Sequence, residues 1–255
     1  NRQDVLLLDK LDKKLRFIDL ANELAHANTV LLPTTMGAVA VTEQAIINEA
    51  HEQGMVVPNR AQRLTDDDTA AAGAYVAYPK KGMHDWIGAI DINSLYPSVI
   101  RALNMGPETV VGQLRQTMTE HMLREKTASG TSFAQAWENE FGSREYRAVM
   151  AMERGTEITI DWENGDEDTL SAHDVWRLIF DSNQPWTLSA NGTIFTYERK
   201  GVVPGLLERW YAERKVLQAK ARAAREEGGD LFDYWDKRQL VKKINLNSLY
   251  GALLN

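Results

Sequence analysis

Asp91-Ile92-Asn93-Ser94-Leu95-Tyr96-Pro97-Ser98 comes directly after the apolar run Trp86-Ile87-Gly88-Ala89-Ile90. The run reads as a buried strand, and the eight residues after it read as a carboxylate at the strand end, a tight turn and a helix start. Pro97 suits a first helical turn, where no N–H is needed. Backbone N–H groups around Ser94, Leu95 and Tyr96 would then face outward beside Asp91, an arrangement that suits a triphosphate bridged by a hard divalent cation. A strand-end aspartate is also a common helix cap, so Asp91 alone leaves both readings open.

A second stretch, Lys243-Ile244-Asn245-Leu246-Asn247-Ser248-Leu249-Tyr250-Gly251, reads as a helix. Lys243, Asn247 and Tyr250 are spaced four and then three residues apart, which puts an ammonium, an amide and a phenol on one face. A nucleotide lying across that face meets the charge with a phosphate and the ring with its base. The plainer alternative is a solvated helix face.

Taken together and in this order, the two stretches resemble the D-x-x-S-L-Y-P-S and K-x-x-x-N-S-x-Y-G motifs of family B DNA polymerases. Gly73-Ala74-Tyr75-Val76, with Pro79, resembles the strand that precedes the aspartate in the palm of that family. Asn104-Met105-Gly106-Pro107-Glu108-Thr109 resembles the N-x-x-P-E-T segment of its T-even-like bacteriophage branch.

The resemblance implies template-directed nucleotidyl transfer from a dNTP to a primer 3′-OH on DNA. In that chemistry the protein positions the reactants and neutralises phosphate charge. Asp91 corresponds to one of two metal-bridging aspartates, with the Ile92 carbonyl completing its coordination of Mg2+. Ser94 and Leu95 correspond to backbone N–H donors to the triphosphate, and Tyr96 to the sugar gate beneath the deoxyribose. Arg214 and Lys215 match the Arg-Lys pair of the first finger helix. Lys243 matches the phosphate-binding lysine of the second, a possible proton donor to leaving pyrophosphate. Asn247 and Tyr250 correspond to the lining of the nascent base-pair pocket. An arginine offers a planar fork to phosphate oxygens where a lysine offers a point charge. Gln218 stands where related fingers carry a basic residue, which implies weaker triphosphate binding. Asn1-x-x-Asp4-Val5 resembles the tail of a proofreading-exonuclease motif, making Asp4 an exonuclease remnant; on pattern alone it lies on an ordinary amphipathic helix.

Composition is compatible with this. Apolar residues make up 44% of the 255, enough for a buried core, and there is no cysteine, which excludes disulfides and thiolate metal sites. His26, His51, His84, His121 and His173 form no H-x-x-x-H pair. No apolar run is long enough to cross a bilayer, so no membrane role is expected and the location read is cytoplasmic, a host cell's if the source is viral. The net charge of −7 argues against nucleic acid until its distribution is considered. Six bases face two acids between Leu206 and Arg225, and Lys237, Arg238, Lys242 and Lys243 add four more. The expected basic surface is therefore confined to the end of the chain.

The expected fold class is α+β: a partial polymerase palm of antiparallel strands and helices, a two-helix antiparallel fingers hairpin and a helical N-terminal segment. Residues 1–64 read as the end of an exonuclease domain with connector helices, 65–203 as the first half of the palm with an insertion near 113–183, and 204–255 as fingers. Val5-Leu6-Leu7-Leu8 opens a core helix pattern continuing through Leu11, Leu15, Ile18 and Leu24. A second helix runs from Thr42 to Gln53 and stops at Gly54. Asp66-Asp67-Asp68 reads as a solvated turn, lacking the alternation of a calcium loop. Helices are expected over Thr119–Lys126 and Phe133–Met152. Glu157–Trp162 alternates like a strand before the hairpin signal Asn164-Gly165, and Ser171 and Asp174 cap a short helix. Trp186–Ala190 and Thr193–Tyr197 form a hairpin around a type I′ Asn191-Gly192 turn. Two long helices come next, and their apolar stripes, Leu206/Leu207/Trp210/Leu217 and Leu240/Val241/Ile244, require antiparallel packing that brings Arg214 near Lys243.

The sequence contains no D-T-D-S strand for the second aspartate and no thumb. The expectation is one piece of a polymerase, inactive alone, that binds primer-template DNA and dNTP and is completed by a second polypeptide or a longer chain. The competing reading is a non-catalytic nucleotide- or DNA-binding module derived from a polymerase. An unrelated hydrolase built on Asp66–Asp68 lacks any histidine or glutamate at ligand spacing.

Overall fold

The computed structural model describes residues 2–59, 76, 78–92, 94–115, 124–136, 155–228 and 231–253. The chain folds as two compact units: Asn1–Ala61, Ser94–Arg101 and Val202–Asn255 in one, Gln62–Asn93 and Ala102–Gly201 in the other. The architecture is α+β, helices with a five-stranded antiparallel sheet.

The first unit is helical: α1 (Arg2–Leu15), α2 (Phe17–Asn28), α3 (Ala38–Glu52), α4 (Leu95–Ala102), α5 (Val202–Glu226) and α6 (Leu231–Leu253). A 3-10 turn, Leu32–Met36, holds Pro33 where an N–H is not needed. Helix α3 ends as its sequence dictates. Gly54 takes φ 74°, its N–H reaches His51 O at 2.9 Å, and the Met55 N–H reaches Ala50 O at 2.8 Å, closing a Schellman motif.

α5 and α6 pack antiparallel, as the sequence requires. Glu213 pairs with Lys242 at 2.6 Å, Arg214 Nε reaches Gln239 at 3.4 Å, the Lys220 ammonium lies 4.5 Å from the Trp235 ring and Arg225 lies 5.8 Å from Phe232, so partners descend α6 as numbers rise along α5. Leu206, Leu207, Trp210 and Val241 are buried, whereas Leu217, Leu240 and Ile244 are half-buried. α5 starts at Val202 and carries Pro204 inside its first turn, where a missing N–H is tolerated.

Two features of the N-terminal segment depart from expectation. The helix breaks at Arg16, whose φ is 54°, and α1 buries none of its residues. Four consecutive apolar residues, Val5 to Leu8, cannot share one helical stripe, and no other element among the described residues covers them. α2 is the part that joins the core, through Leu24 against Val41 and Val241. Lys237, first through its hydrogen bond and then its charge, and Arg16 hold the Asp19 carboxyl below its ordinary range.

The second unit is built on the sheet β1 (Val110–Leu114), β2 (Glu157–Trp162), β3 (Glu167–Ser171), β4 (Trp186–Leu188) and β5 (Thr193–Thr196), in the order β3-β2-β1-β5-β4. One face packs Leu114, Ile158, Ile160, Leu188 and Ile194 against Ala172, Val175 and Ile179 of the short helix Ala172–Trp176 and its π-helical continuation Arg177–Asp181. Ser171 caps that helix by accepting from the Asp174 N–H. Both hairpins form where the sequence places them, but the second does not have the expected I′ turn. Positive φ falls on Gly192 (86°) and not on Asn191, the Ser189 N–H bonds Thr193 O at 2.9 Å, and the loop is the three-residue kind with a left-handed glycine.

Trp86–Ile90 is not a buried strand. Residues 87–92 have no regular structure, Trp86 takes φ 58°, and Trp86, Ile87, Ile90 and Ile92 are exposed. A lone strand leaves its backbone groups unpaired, and no strand among the described residues lies alongside this one. The expected strand at Gly73–Ala77 apart from Val76, the Asp66–Asp68 turn and most of the helices over Thr119–Lys126 and Phe133–Met152 lie outside the described residues.

Asn104 pins the loop entering β1. It is 1% exposed with φ 52°, donates Nδ2 to Thr196 O at 2.7 Å and Arg199 O at 2.8 Å, and accepts the Gly201 N–H at 3.0 Å. Thr109 Oγ1 donates to Asn104 O at 2.6 Å and accepts the Gly106 N–H at 3.0 Å.

Ile160→Ala, at a side chain with 0% exposure, removes about 2–5 kcal/mol of stability from the sheet unit. Gly54→Ala, forced into the left-handed region, removes about 1 kcal/mol. Urea unfolding of the two variants measures both losses.

Candidate functional site

The turn before α4 places Ser94 at φ 55°, with its carbonyl accepting the Ser98 N–H at 2.9 Å. A left-handed residue there redirects the chain into the helix. Pro97 and Ile100 are buried and anchor α4, while Leu95, Tyr96 and Val99 stay 45%, 40% and 42% exposed. The Tyr96 ring lies on the Tyr250 ring of α6, centroids 3.7 Å apart and planes within 7°. That contact joins the two stretches singled out in the sequence. Burial pushes the Tyr250 phenol above its ordinary value, and the neighbouring Tyr96 phenol adds to the shift.

At the other end of α4, the Arg101 guanidinium lies 5.0 Å from the Tyr211 ring of α5, and Lys215 lies 4.7 Å from the same ring. Two residues with no role in the sequence reading, Arg101 and Tyr211, thus tie α4 to the helix carrying Lys215. The i,i+4 spacing of Tyr211 and Lys215 was available in the sequence. Arg101 comes from a distant segment and had no such signal.

On α6, Asn245, Leu246 and Leu249 are buried, Lys243 and Asn247 are exposed and Tyr250 is half-buried. Lys243 pairs with no acid among the described residues. Its neighbours in sequence differ: Lys242 pairs with Glu213 at 2.6 Å, Lys237 with Asp19 at 2.8 Å and Arg238 with Glu23 at 3.2 Å. On α5, Arg209 pairs with Glu49 at 2.7 Å and Glu52 at 3.1 Å. Much of the positive charge expected to form a basic surface is therefore matched within the unit. Arg214 is half-buried and bonds Gln239, one turn before Lys243 on α6.

Asp91 and Ile92 are exposed, in the second unit. Among the described residues no group of three or more His, Cys, Asp or Glu side chains could hold a metal ion. One carboxylate and one neighbouring carbonyl fall short of the oxygen donors a hard dication takes, so the described residues do not by themselves make a Mg2+ site. Asp4 lies exposed on α1. No helix among the described residues is long and apolar enough to cross a membrane.

The model of DNA polymerase family B matches residues 32–254, so the chain belongs to that family. It is similar to the DNA-directed DNA polymerase of Escherichia phage RB69, with 28% identity over 112 residues, 44% of this chain and 12% of that protein. DNA polymerase 2 of Aeropyrum pernix is 35% identical over 98 residues, 38% of this chain and 12% of the relative. The DNA polymerase of Trichoplusia ni ascovirus 2c is 24% identical over 257 residues, 76% of this chain and 24% of the relative. The chain thus spans between 12% and 24% of these relatives' lengths.

A phenol whose folded pKa lies above its unfolded value adds stability that is complete below the ordinary value of 10.0 and lost as pH rises from there through the folded pKa. Unfolding measured from pH 8 upward shows the wild type losing stability above about pH 10, and Tyr250→Phe losing less over the same interval. Tyr96→Leu lowers the Tyr250 titration toward the ordinary value, read by ultraviolet difference titration.

Proposed function

We propose that the chain supplies the dNTP-binding part of a DNA-directed DNA polymerase that transfers a nucleotide from dNTP to a primer 3′-OH on a DNA template. The observation that carries this reading is the Tyr96–Tyr250 stack, which joins the two motifs in a chain of family B.

In the reaction the primer oxygen attacks the α-phosphorus, the bond to the β-phosphate oxygen breaks, and pyrophosphate leaves. Ser94 and Leu95 donate backbone N–H groups to the triphosphate. Arg214 and Lys215 supply positive charge from α5, while exposed Lys243 supplies it from α6 and gives a proton to the departing pyrophosphate. Asn247 and Tyr250 line the space of the new base pair. Tyr96, held by Tyr250, stands beneath the sugar where a 2′-hydroxyl would collide. Asp91, with the Ile92 carbonyl, is read as one contributor to the family's Mg2+ pair, and the remaining acids and the duplex grip come from polymerase residues on a second polypeptide or a longer chain. By this reading the isolated chain extends no primer and works in the cytoplasm, a host cell's if the source is viral. Asp4 is read as an exonuclease remnant without activity of its own.

Primer extension by the completed enzyme tests these roles. Asp91→Asn abolishes synthesis with the fold retained; full activity in that variant removes its role at the metal. Tyr96→Ala admits ribonucleotides, read as the ratio of kcat/KM for rNTP and dNTP. Arg214→Ala or Lys243→Ala each loses about 2–4 kcal/mol of transition-state stabilisation. A completed enzyme that binds dNTP and DNA but never extends a primer favours the binding-module alternative.

A further inference from the structure

α2 and α6 meet through two amides that neither the ion pairs nor the nucleotide contacts use. Asn28 and Asn245 are each 2% exposed. Asn245 Nδ2 donates to Asn28 Oδ1 at 2.9 Å; Asn28 Nδ2 donates to Leu24 O at 2.9 Å and lies 3.3 Å from Asn245 Oδ1. The Asn28 carbonyl accepts from Asn48 Nδ2 of α3 at 3.3 Å, and Asn48 Oδ1 accepts from Gln44 at 2.8 Å. The same three helices form the apolar cluster of Leu24, Val41 and Val241. Within an apolar helix seam, a reciprocal amide pair is satisfied in one register and orphaned in the others.

Its place on α6 gives that register a consequence. Asn245 is two residues from both Lys243 and Asn247, about 200° around the helix from each. Burying Asn245 against α2 therefore turns Lys243 and Asn247 outward, and both are exposed.

We propose that Asn28 and Asn245 are positioning residues: their reciprocal hydrogen bonds fix the rotation and register of α6, and so hold Lys243, Asn247 and Tyr250 where a dNTP meets them. The nucleotide half of this rests on the function proposed above, whereas the register half stands on the helix geometry alone. A purely structural amide pair is replaceable by a leucine pair of similar volume without effect beyond stability. A positioning pair is not, because leucines pack in several registers.

The test compares Asn28→Leu, Asn245→Leu and the double variant in the full chain, with two readouts. One is the Tyr250 titration, identified as the step that Tyr250→Phe removes. The other is dNTP affinity from fluorescence quenching by dTTP. Each single variant melts below wild type, having orphaned a buried amide. The double variant melts at or above the better single, yet its Tyr250 titration moves toward the ordinary tyrosine value and its Kd for dTTP rises roughly tenfold or more. A folded double variant with both quantities at wild-type values overturns the proposal. Should the leucine variants fail to fold, Asn245→Gln keeps the amide and moves it one methylene outward; an unmoved titration and affinity there overturn the proposal equally. If the wild type binds no dTTP, the nucleotide reading fails, and the tyrosine titration alone decides the register.

Discussion

Helix α6 is occupied on nearly its whole circumference, and that crowding sets the first unit. Its apolar residues Val241, Leu246 and Leu249 are buried, α5 is bound through Glu213 and Gln239, α2 through Glu23 and Asn28, and Tyr250 carries the ring of Tyr96. With 3.6 residues per turn, few positions are left to solvent. Lys243 and Asn247 are among those that remain. The motif's polar face is thus defined as much by what the rest of the helix buries as by its own residues.

The ionic contacts arise from the same crowding. α5 and α6 carry many bases, and packing them side by side without acids would set like charges together. Glu213, Glu23, Asp19, Glu49 and Glu52 meet Lys242, Arg238, Lys237 and Arg209. Each of these pairs keeps at least one partner in contact with solvent, and solvent-screened pairs add little stability, a few tenths of a kcal/mol to about 1 kcal/mol. Their effect is on distribution: matched bases contribute little field, whereas exposed Lys243 has no acid beside it among the described residues.

Elements governed by local physics were legible in the sequence. The glycine stop of α3, the Ser171 cap and both hairpins depend on residues a few positions apart, and all are present. The antiparallel α5–α6 pair was legible too, since two facing apolar stripes with a short connection have few other solutions. Features set by partners far along the chain were not. Alternation cannot reveal that Trp86–Ile92 meets no strand among the described residues, nor an apolar run that α1 has no cover among them. Of the candidate site, the composition of each motif was readable, as were the residues of α6 facing outward. That Tyr96 and Tyr250 stack, and that Arg101 reaches α5 through Tyr211, required the fold.

The N-x-x-P-E-T segment shows why a motif need not be a site. Its Asn104 occupies a left-handed conformation, and its one amide satisfies carbonyls of Thr196 and Arg199 and the N–H of Gly201, while Thr109 closes the turn from the other side. Left unpaired, the groups at buried Thr196 and Gly201 would cost about 1–3 kcal/mol each, whereas exposed Arg199 can turn its carbonyl to water. Substituting any non-polar residue at Asn104 orphans both buried groups at once, so the identity of the residue is explained by backbone accounting without any ligand. Asn247 presents the opposite case: the same side chain, exposed on α6, satisfies no backbone group among the described residues. Burial and hydrogen-bond satisfaction, and not residue type, separate the asparagine that builds the fold from the asparagine left at the surface.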